Sequence, residues 1–310
     1  MRAREPGADG EESMIAQGNR ERPVHSLGHG DHVCLAFADD SEQRRVVTAY
    51  VSDGLKRGER VMYFADRHKP AAVLDWLRST QMDPDAALSS GQLQVVTASD
   101  GWLMSGRFDA TAMVATLRQE MASAAASGFK GFRVSGEMSW VLRETAGADE
   151  LAAYESMVNS VFEGQPASAV CQYDARLFHP AQLQTYDHCH RGTVELSPLY
   201  EDELLRIVPT FEAGERTMHV IGTVDYRTTD ALTAVLDATL DWAGDVRVDM
   251  SALEFIDLAG LRALAHTAER YEPGRHMRVV ELAPLLCQVI AVAGLDQQDA
   301  LVVTSPGASA

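Results

Sequence analysis

The chain has 310 residues, which suggests about two domains; 46% are hydrophobic and 23% charged, so each half can build a core and a mostly disordered chain is excluded. Acids outnumber bases 45 to 27, a formal charge of −18, and a surface that negative repels a phosphate backbone, which disfavours nucleic acid as a partner. No apolar run reaches membrane-span length, and the first residues lack the apolar core of a secretory signal. Cys34, Cys171, Cys189 and Cys287 show no disulfide-framework spacing, so the expectation is a cytoplasmic protein with free thiols.

Residues 1–23 are rich in charge and glycine and read as a flexible tail. From there the pattern alternates strand and helix. Val33–Ala38 reads as a strand, and Ser41 as the N-cap of a helix that runs to Arg57 and ends at Gly58. Arg60–Ala65 is a strand, Pro70–Ser79 a helix and Leu93–Ala98 a strand. Ala110–Ala126 is a long helix, 131–136 a strand, Ala148–Phe162 a helix, Ala167–Tyr173 a strand and Pro180–His190 a helix. This order predicts an α/β domain over 24–198, with a mostly parallel sheet and helices on both faces.

Residues 192–202 hold a proline and several acids without helical periodicity, and read as a boundary. A smaller α/β domain is expected over 203–305. Its strands are placed at 204–208, 218–223, 245–249, 277–281 and 301–303, and its helices at 228–242, 258–271 and 284–293.

The second domain carries three informative stretches: HVIGTVDYRTTDAL (219–232), VRVDMSALEFIDLAGLRAL (246–264) and MRVVELAPLLCQVIAVAGLD (277–296). In order and spacing they resemble the STAS domain of anti-sigma factor antagonists. The resemblance implies protein binding rather than catalysis, with an anti-sigma factor or a switch kinase as partner. In phosphorylatable members a Ser or Thr follows the loop Asp; here Leu258 follows Asp257, so that control is absent. The docking patch expected from the resemblance joins Asp225, Tyr226, Thr228, Asp257, Leu258, Ala259 and Gly260. Asp257 and Thr228 also read as ordinary helix N-caps, and Gly260 as a point of close helix approach.

The first domain opens like a RecA/KaiC-type ATPase, but the loop after its first strand, Ala38–Arg45, has no glycine and no lysine. Three carboxylates stand where phosphates would sit, so ATP hydrolysis is not expected. The segments HGDHVCLAF (29–37), GLKRGERVMYFAD (54–66), GFRVSGEMSW (131–140) and AVCQYDARLF (169–178) resemble the MEDS domain, a sensory domain of methanogen and methylotroph regulators related to the RecA-like fold. The resemblance implies a sensor of a ligand or signal, either a small molecule or a partner, without naming the molecule. Ligands of open α/β sheets bind beyond the carboxyl ends of the strands, which nominates Asp39, Asp66, Glu137, Trp140, Tyr173 and Asp174.

His29, His32 and Cys34 gather near the first strand and form a candidate metal set. His188-Cys189-His190 and Cys171 match no zinc spacing, and Cys34 and Cys171 read as small core residues. No cofactor and no catalytic constellation is expected. The chain thus reads as a non-enzymatic bacterial signalling regulator that acts on transcription indirectly. The alternatives are a divergent nucleotide-binding phosphotransferase and a scaffold that forms homo-oligomers through its STAS domain.

Overall fold

The protein is described by a computed structural model covering residues 21–80, 82–242, 244–297 and 299–307. The chain divides into two compact units, 1–195 and 196–310. The expected tail lies outside the described residues as far as residue 20. Its last part is corrected: Glu21–Arg22 form a short strand, β1, which pairs in parallel with Thr193–Val194.

The first unit continues with β2 (His32–Phe37), α1 (Asp40–Arg57), β3 (Arg60–Ala65), α2 (Pro70–Arg78), α3 (Pro84–Ser89) and β4 (Leu93–Thr97). Then follow α4 (Ala110–Ala126), β5 (Phe132–Glu137), α5 (Leu151–Phe162), β6 (Ala167–Asp174), α6 (Pro180–Cys189) and β7 (Gly192–Val194). The sheet order is β1-β7-β2-β6-β5-β3-β4, and every pairing is parallel. Strands β2, β5 and β6 are buried at every position. Burial of alternate side chains on both faces requires a covering layer on each, which the crossover helices supply.

Local chemistry sets the helix ends. Asp39, not Ser41, caps α1: its carboxylate accepts the N–H groups of Ser41 and Glu42, and Glu42 reaches back to the N–H of Asp39. The reciprocal pair satisfies donors that a Ser at 41, already inside the helix, cannot reach. At the other end Gly58 is left-handed at φ 77°, a conformation that stops the helix at little cost only in glycine.

The second unit comprises β8 (Tyr200–Glu201), β9 (Leu205–Glu212), β10 (Glu215–Val224), α7 (Thr229–Ala238), β11 (Val246–Asp249), β12 (Leu253–Ile256), α8 (Leu258–Ala268), β13 (Met277–Val280), α9 (Pro284–Val292) and β14 (Leu301–Val303). Its sheet order is β14-β13-β11-β10-β9-β8, with β12 also pairing with β10. The sheet is mixed. β9 and β10 form an antiparallel hairpin, whereas β10, β11, β13 and β14 run parallel. The two strands at 204–208 and 218–223 are therefore arms of one longer hairpin, and residues 253–256, read as loop, form a strand. The core is aliphatic, with Val220, Leu232, Leu236, Val248, Leu264 and Val279 fully buried. Among the described residues no helix is long and apolar enough to cross a membrane.

Candidate functional site

The rim beyond the carboxyl ends of β2, β3, β5 and β6 gathers several of the nominated residues. Glu137 ends β5 and is buried. Its carboxylate accepts the hydroxyl of Tyr63 at 2.9 Å, the backbone N–H groups of Asp66, Arg67 and His68 at 2.9, 2.6 and 3.0 Å, and meets Nδ1 of His68 at 3.0 Å. Burial pushes this acid up, but the His68 side chain and the two backbone donors of His68 and Asp66 outweigh it and hold it below its ordinary value. Glu137 therefore fixes the loop after β3.

Asp174, at the end of β6, binds Arg67 and Arg176, and Arg176 also reaches Asp40 at 2.6 Å. The hydrogen bond from Arg176 holds the Asp40 carboxyl below its usual range. Asp39 is spent on the α1 cap. The helix N-terminus that a nucleotide phosphate would use is thus filled by the chain's own carboxylates. Trp140 and Tyr173 require correction, since both are fully buried in the core and line no open site. Trp140 packs against Phe108 at 4.8 Å, and Tyr173 stacks on Tyr186 at 4.9 Å. Asp66 does border open space. It accepts Ser139 and both terminal nitrogens of Arg143, and with Arg143, Thr97, Ser99 and Thr145 it lines a polar cavity of about 480 Å³ beyond β3 and β4.

The candidate metal set is redistributed. His29 pairs with Glu59 at 2.9 Å and is not part of the group that forms around His32. His32 instead faces Glu155 of α5, Cys171 of β6 and His190 at the end of α6, in a cluster buried at all four positions. Cys34 lies opposite Cys171 in the β2–β6 register, and both are free thiols. Burial pushes the Cys171 thiol up and the His190 imidazole down to about 4. Glu155 escaped the sequence reading, although an acid among Leu151, Tyr154, Val158 and Phe162 on the buried face of a helix is a visible signal.

In the second unit, Asp257 accepts the N–H of Gly260 at 2.9 Å and caps α8. Its own N–H bonds the carbonyl of Val224 at 3.0 Å, which lays the 225–228 loop beside the start of α8. Tyr226, Phe255 and Leu258 are 83%, 52% and 40% exposed, and Ala259 is exposed as well. Asp225 is held by Arg227, whose hydrogen bonds keep its carboxyl below the ordinary value. Two patch residues need correction because both are buried and cannot touch a partner. Thr228 donates to the carbonyl of Thr223 at 2.9 Å and accepts the N–H of Asp225, so it ties the loop without capping the helix by side chain. Gly260 sits where a Cβ would meet Ile256 and Val224 at 2.7 Å.

Comparison with known proteins accords with these features. The model of the family described as "MEDS: MEthanogen/methylotroph, DcmR Sensory domain" matches residues 31–191, and that described as "Mlab, STAS domain" matches 209–304. The first match spans more than half of the chain, and the chain belongs to the MEDS family. A curated relative, the transcriptional repressor DcmR of Methylorubrum extorquens, is 24% identical over 173 residues, 56% of this chain and 62% of that protein; the chain thus spans about three-fifths of this relative's length. Among solved structures, an anti-sigma factor antagonist from Mycobacterium paratuberculosis is 27% identical, with a TM-score of 0.30, and the match covers 33% of this chain and 88% of that one. A KaiC-like protein from Pyrococcus horikoshii is 12% identical, with a TM-score of 0.41, covering 61% of this chain and 89% of that one. A sensory domain joined to a STAS domain is an arrangement for regulatory signalling.

Proposed function

We propose that this chain is a non-enzymatic signalling regulator of the anti-sigma factor antagonist kind, whose STAS unit docks an anti-sigma factor or a switch kinase without phosphorylation at its own switch position. The carrying observation is the surface around the start of α8. Three large side chains stand exposed around a capped helix N-terminus: Tyr226 on the loop before α7, Phe255 on β12 and Leu258 at the first position of α8. Burying such apolar side chains is what makes a few residues dominate an interface. Leu258 offers no hydroxyl, so the surface has no acceptor for a phosphoryl group at the position where the family carries one.

The MEDS unit is the input side of this reading. The polar cavity between Asp66, Arg143 and Thr145 has the size and the placement, beyond strand ends, of a small-molecule site. Its ligand would be a small polar molecule that competes for the Asp66–Arg143 pair. The acidic chain argues against direct DNA contact, so the effect on transcription would run through the docked partner. Coupling requires a ligand with different affinities for two states of the chain.

Affinity capture from the native lysate tests the docking surface, with wild type, Tyr226→Ala and Leu258→Arg as baits. The reading expects an anti-sigma factor or switch kinase with wild type, a loss of about tenfold or more with each variant, and no change when ATP is added. Equal recovery by all three baits, or phosphate incorporated into the STAS unit on addition of ATP, would sink it.

A further inference from the structure

The buried cluster between β2, β6, α5 and α6 has the geometry of an ion shell. One donor atom from each of His32, Glu155, Cys171 and His190 lies within 4.8 Å of all the others. The Nε2 atoms of His32 and His190 stand 3.1 and 3.4 Å from Oε2 of Glu155. The sulfur of Cys171 is 3.5 Å from Nε2 of His32 and 3.5 Å from the same Glu155 oxygen. A tetrahedral zinc with nitrogen and oxygen at about 2.0–2.1 Å and sulfur at about 2.3 Å sets its light donors roughly 3.3 Å apart and light atom to sulfur roughly 3.5 Å apart. The four separations fall on those edges.

The outer contacts aim the donors inward. Nδ1 of His32 meets Oδ1 of Asn159 at 3.0 Å, and the Asn159 amide donates to the carbonyl of Cys189 at 2.7 Å, which settles which amide atom faces the ring. Nδ1 of His190 meets the carbonyl of Tyr186 at 2.6 Å. Each ring spends an N–H on an outer oxygen and turns Nε2 to the centre, the orientation that metal-bound histidines take. The hydroxyl of Tyr173 donates to Oε1 of Glu155 at 2.8 Å and leaves Oε2 for the centre.

We propose that the MEDS unit binds one divalent zinc-class ion, held tetrahedrally by His32, Glu155, Cys171 and His190. Binding exchanges the Cys171 thiol proton for the ion, and that proton leaves to solvent. One thiolate and one carboxylate then balance the two positive charges, so the buried site is neutral and avoids the cost of an isolated charge. Thiolate and imidazole donors select against magnesium and calcium. Four protein ligands close the site, which therefore ties β2, β6, α5 and the end of α6 together rather than activating a water. This site is separate from the docking surface and from the Asp66–Arg143 cavity, and it stands or falls without them.

The test uses untagged full-length protein. It is stripped with a chelator, checked for retained far-ultraviolet dichroism, and refilled with zinc or cobalt. The expected result is about one ion per chain, and a cobalt spectrum with intense tetrahedral d–d bands and a thiolate-to-cobalt band. Cys171→Ser should abolish the thiolate band, and Tyr173→Phe, which keeps the ring, should weaken zinc binding about 10–100-fold. A paired His188→Ala, Cys189→Ala change, outside the four ligands, should leave uptake unchanged. No stoichiometric uptake by the refilled wild type overturns the proposal and leaves the cluster as a buried hydrogen-bonded network of His32, Glu155, Cys171 and His190. Uptake lost only in the 188/189 pair overturns it as well, because the ion then belongs to that run. Should Cys171→Ser fail to fold, the wild-type cobalt spectrum and Tyr173→Phe decide alone.

Discussion

The two units bury different things. In the first, the interior holds His32, Glu59, Arg133, Glu137, Glu155, Asp174 and His190. In the second, the buried polar residues among those described are threonines and Asp249, and the core is mainly aliphatic with several methionines. The exposed large apolar side chains around α8 belong to the second. Charged groups in an interior cost desolvation and are retained where partners or function offset it. A mainly aliphatic core with a group of large apolar side chains left outside is what a domain that binds through its surface would show. The contrast fits the proposed reading, in which the first unit works through its interior and the second through its surface.

The largest test of that contrast is Arg133. Its guanidinium is buried, binds Glu59, donates to Asp53 at 2.8 Å and to the Tyr50 carbonyl at 3.0 Å, and lies over the Tyr50 ring. Arg133→Met leaves Glu59 buried with one fewer partner, and should cost about 3–5 kcal/mol. Urea unfolding followed by hydrogen exchange should show the loss in the first unit alone. A loss below about 1 kcal/mol, the level of an exposed ion pair, would mean that these buried charges are not what holds the sensor together.

Gly260 probes the other side. A Cβ there overlaps Ile256 and Val224, so Gly260→Ala should destabilise the second unit by about 1–3 kcal/mol. It should also shift the start of α8 and weaken partner capture. Full stability and full capture in the variant would show that α8 has room to move. Asp257→Ala removes the cap and should cost about 1 kcal/mol, whereas Asp257→Asn should cost little, because Asn caps about as well. A large loss with Asn, read by thermal melting, would point to a role for the charge beyond capping.

The alternation of strands and helices was legible because short apolar runs and helical periodicity report burial directly. What escaped were elements whose signals are local or short. The β9–β10 turn is Ala213-Gly214, with both residues at positive φ, 50° and 78°, a primed turn written without the usual Asn or Asp. α3 has six residues and announced itself only by Asp83 and Pro84, a cap and a first-turn proline. The site residues were half legible. His32 was found, but its partners come from α5, β6 and the end of α6, more than 120 residues away in sequence, and no spacing rule reaches that far. Trp140 and Tyr173 misled for the opposite reason. Both stand at or near a strand end, but the Trp side chain turns into the core and the Tyr hydroxyl is taken by Glu155.

The smallest effect expected is a pH slope, and it separates the two kinds of interior. Glu137 lies below its ordinary value of 4.5 in the folded chain: burial alone would raise it, but His68 and the loop N–H groups outweigh that. A carboxyl lowered by folding stabilises fully above its unfolded value, and the contribution fades as pH falls through the folded one. Wild type should therefore lose stability in the first unit as pH drops below about 4.5, and Glu137→Gln should lose less over the same range. Among the described residues the second unit buries one carboxylate, Asp249, and Glu137→Gln should leave that unit's acid profile unchanged. Chemical unfolding across that range, with exchange resolving the two units, measures both slopes at once. Equal slopes in wild type and Glu137→Gln would mean that the β3 loop is held by its backbone alone, and that the rim beside the Asp66–Arg143 cavity is less rigid than its hydrogen bonds imply.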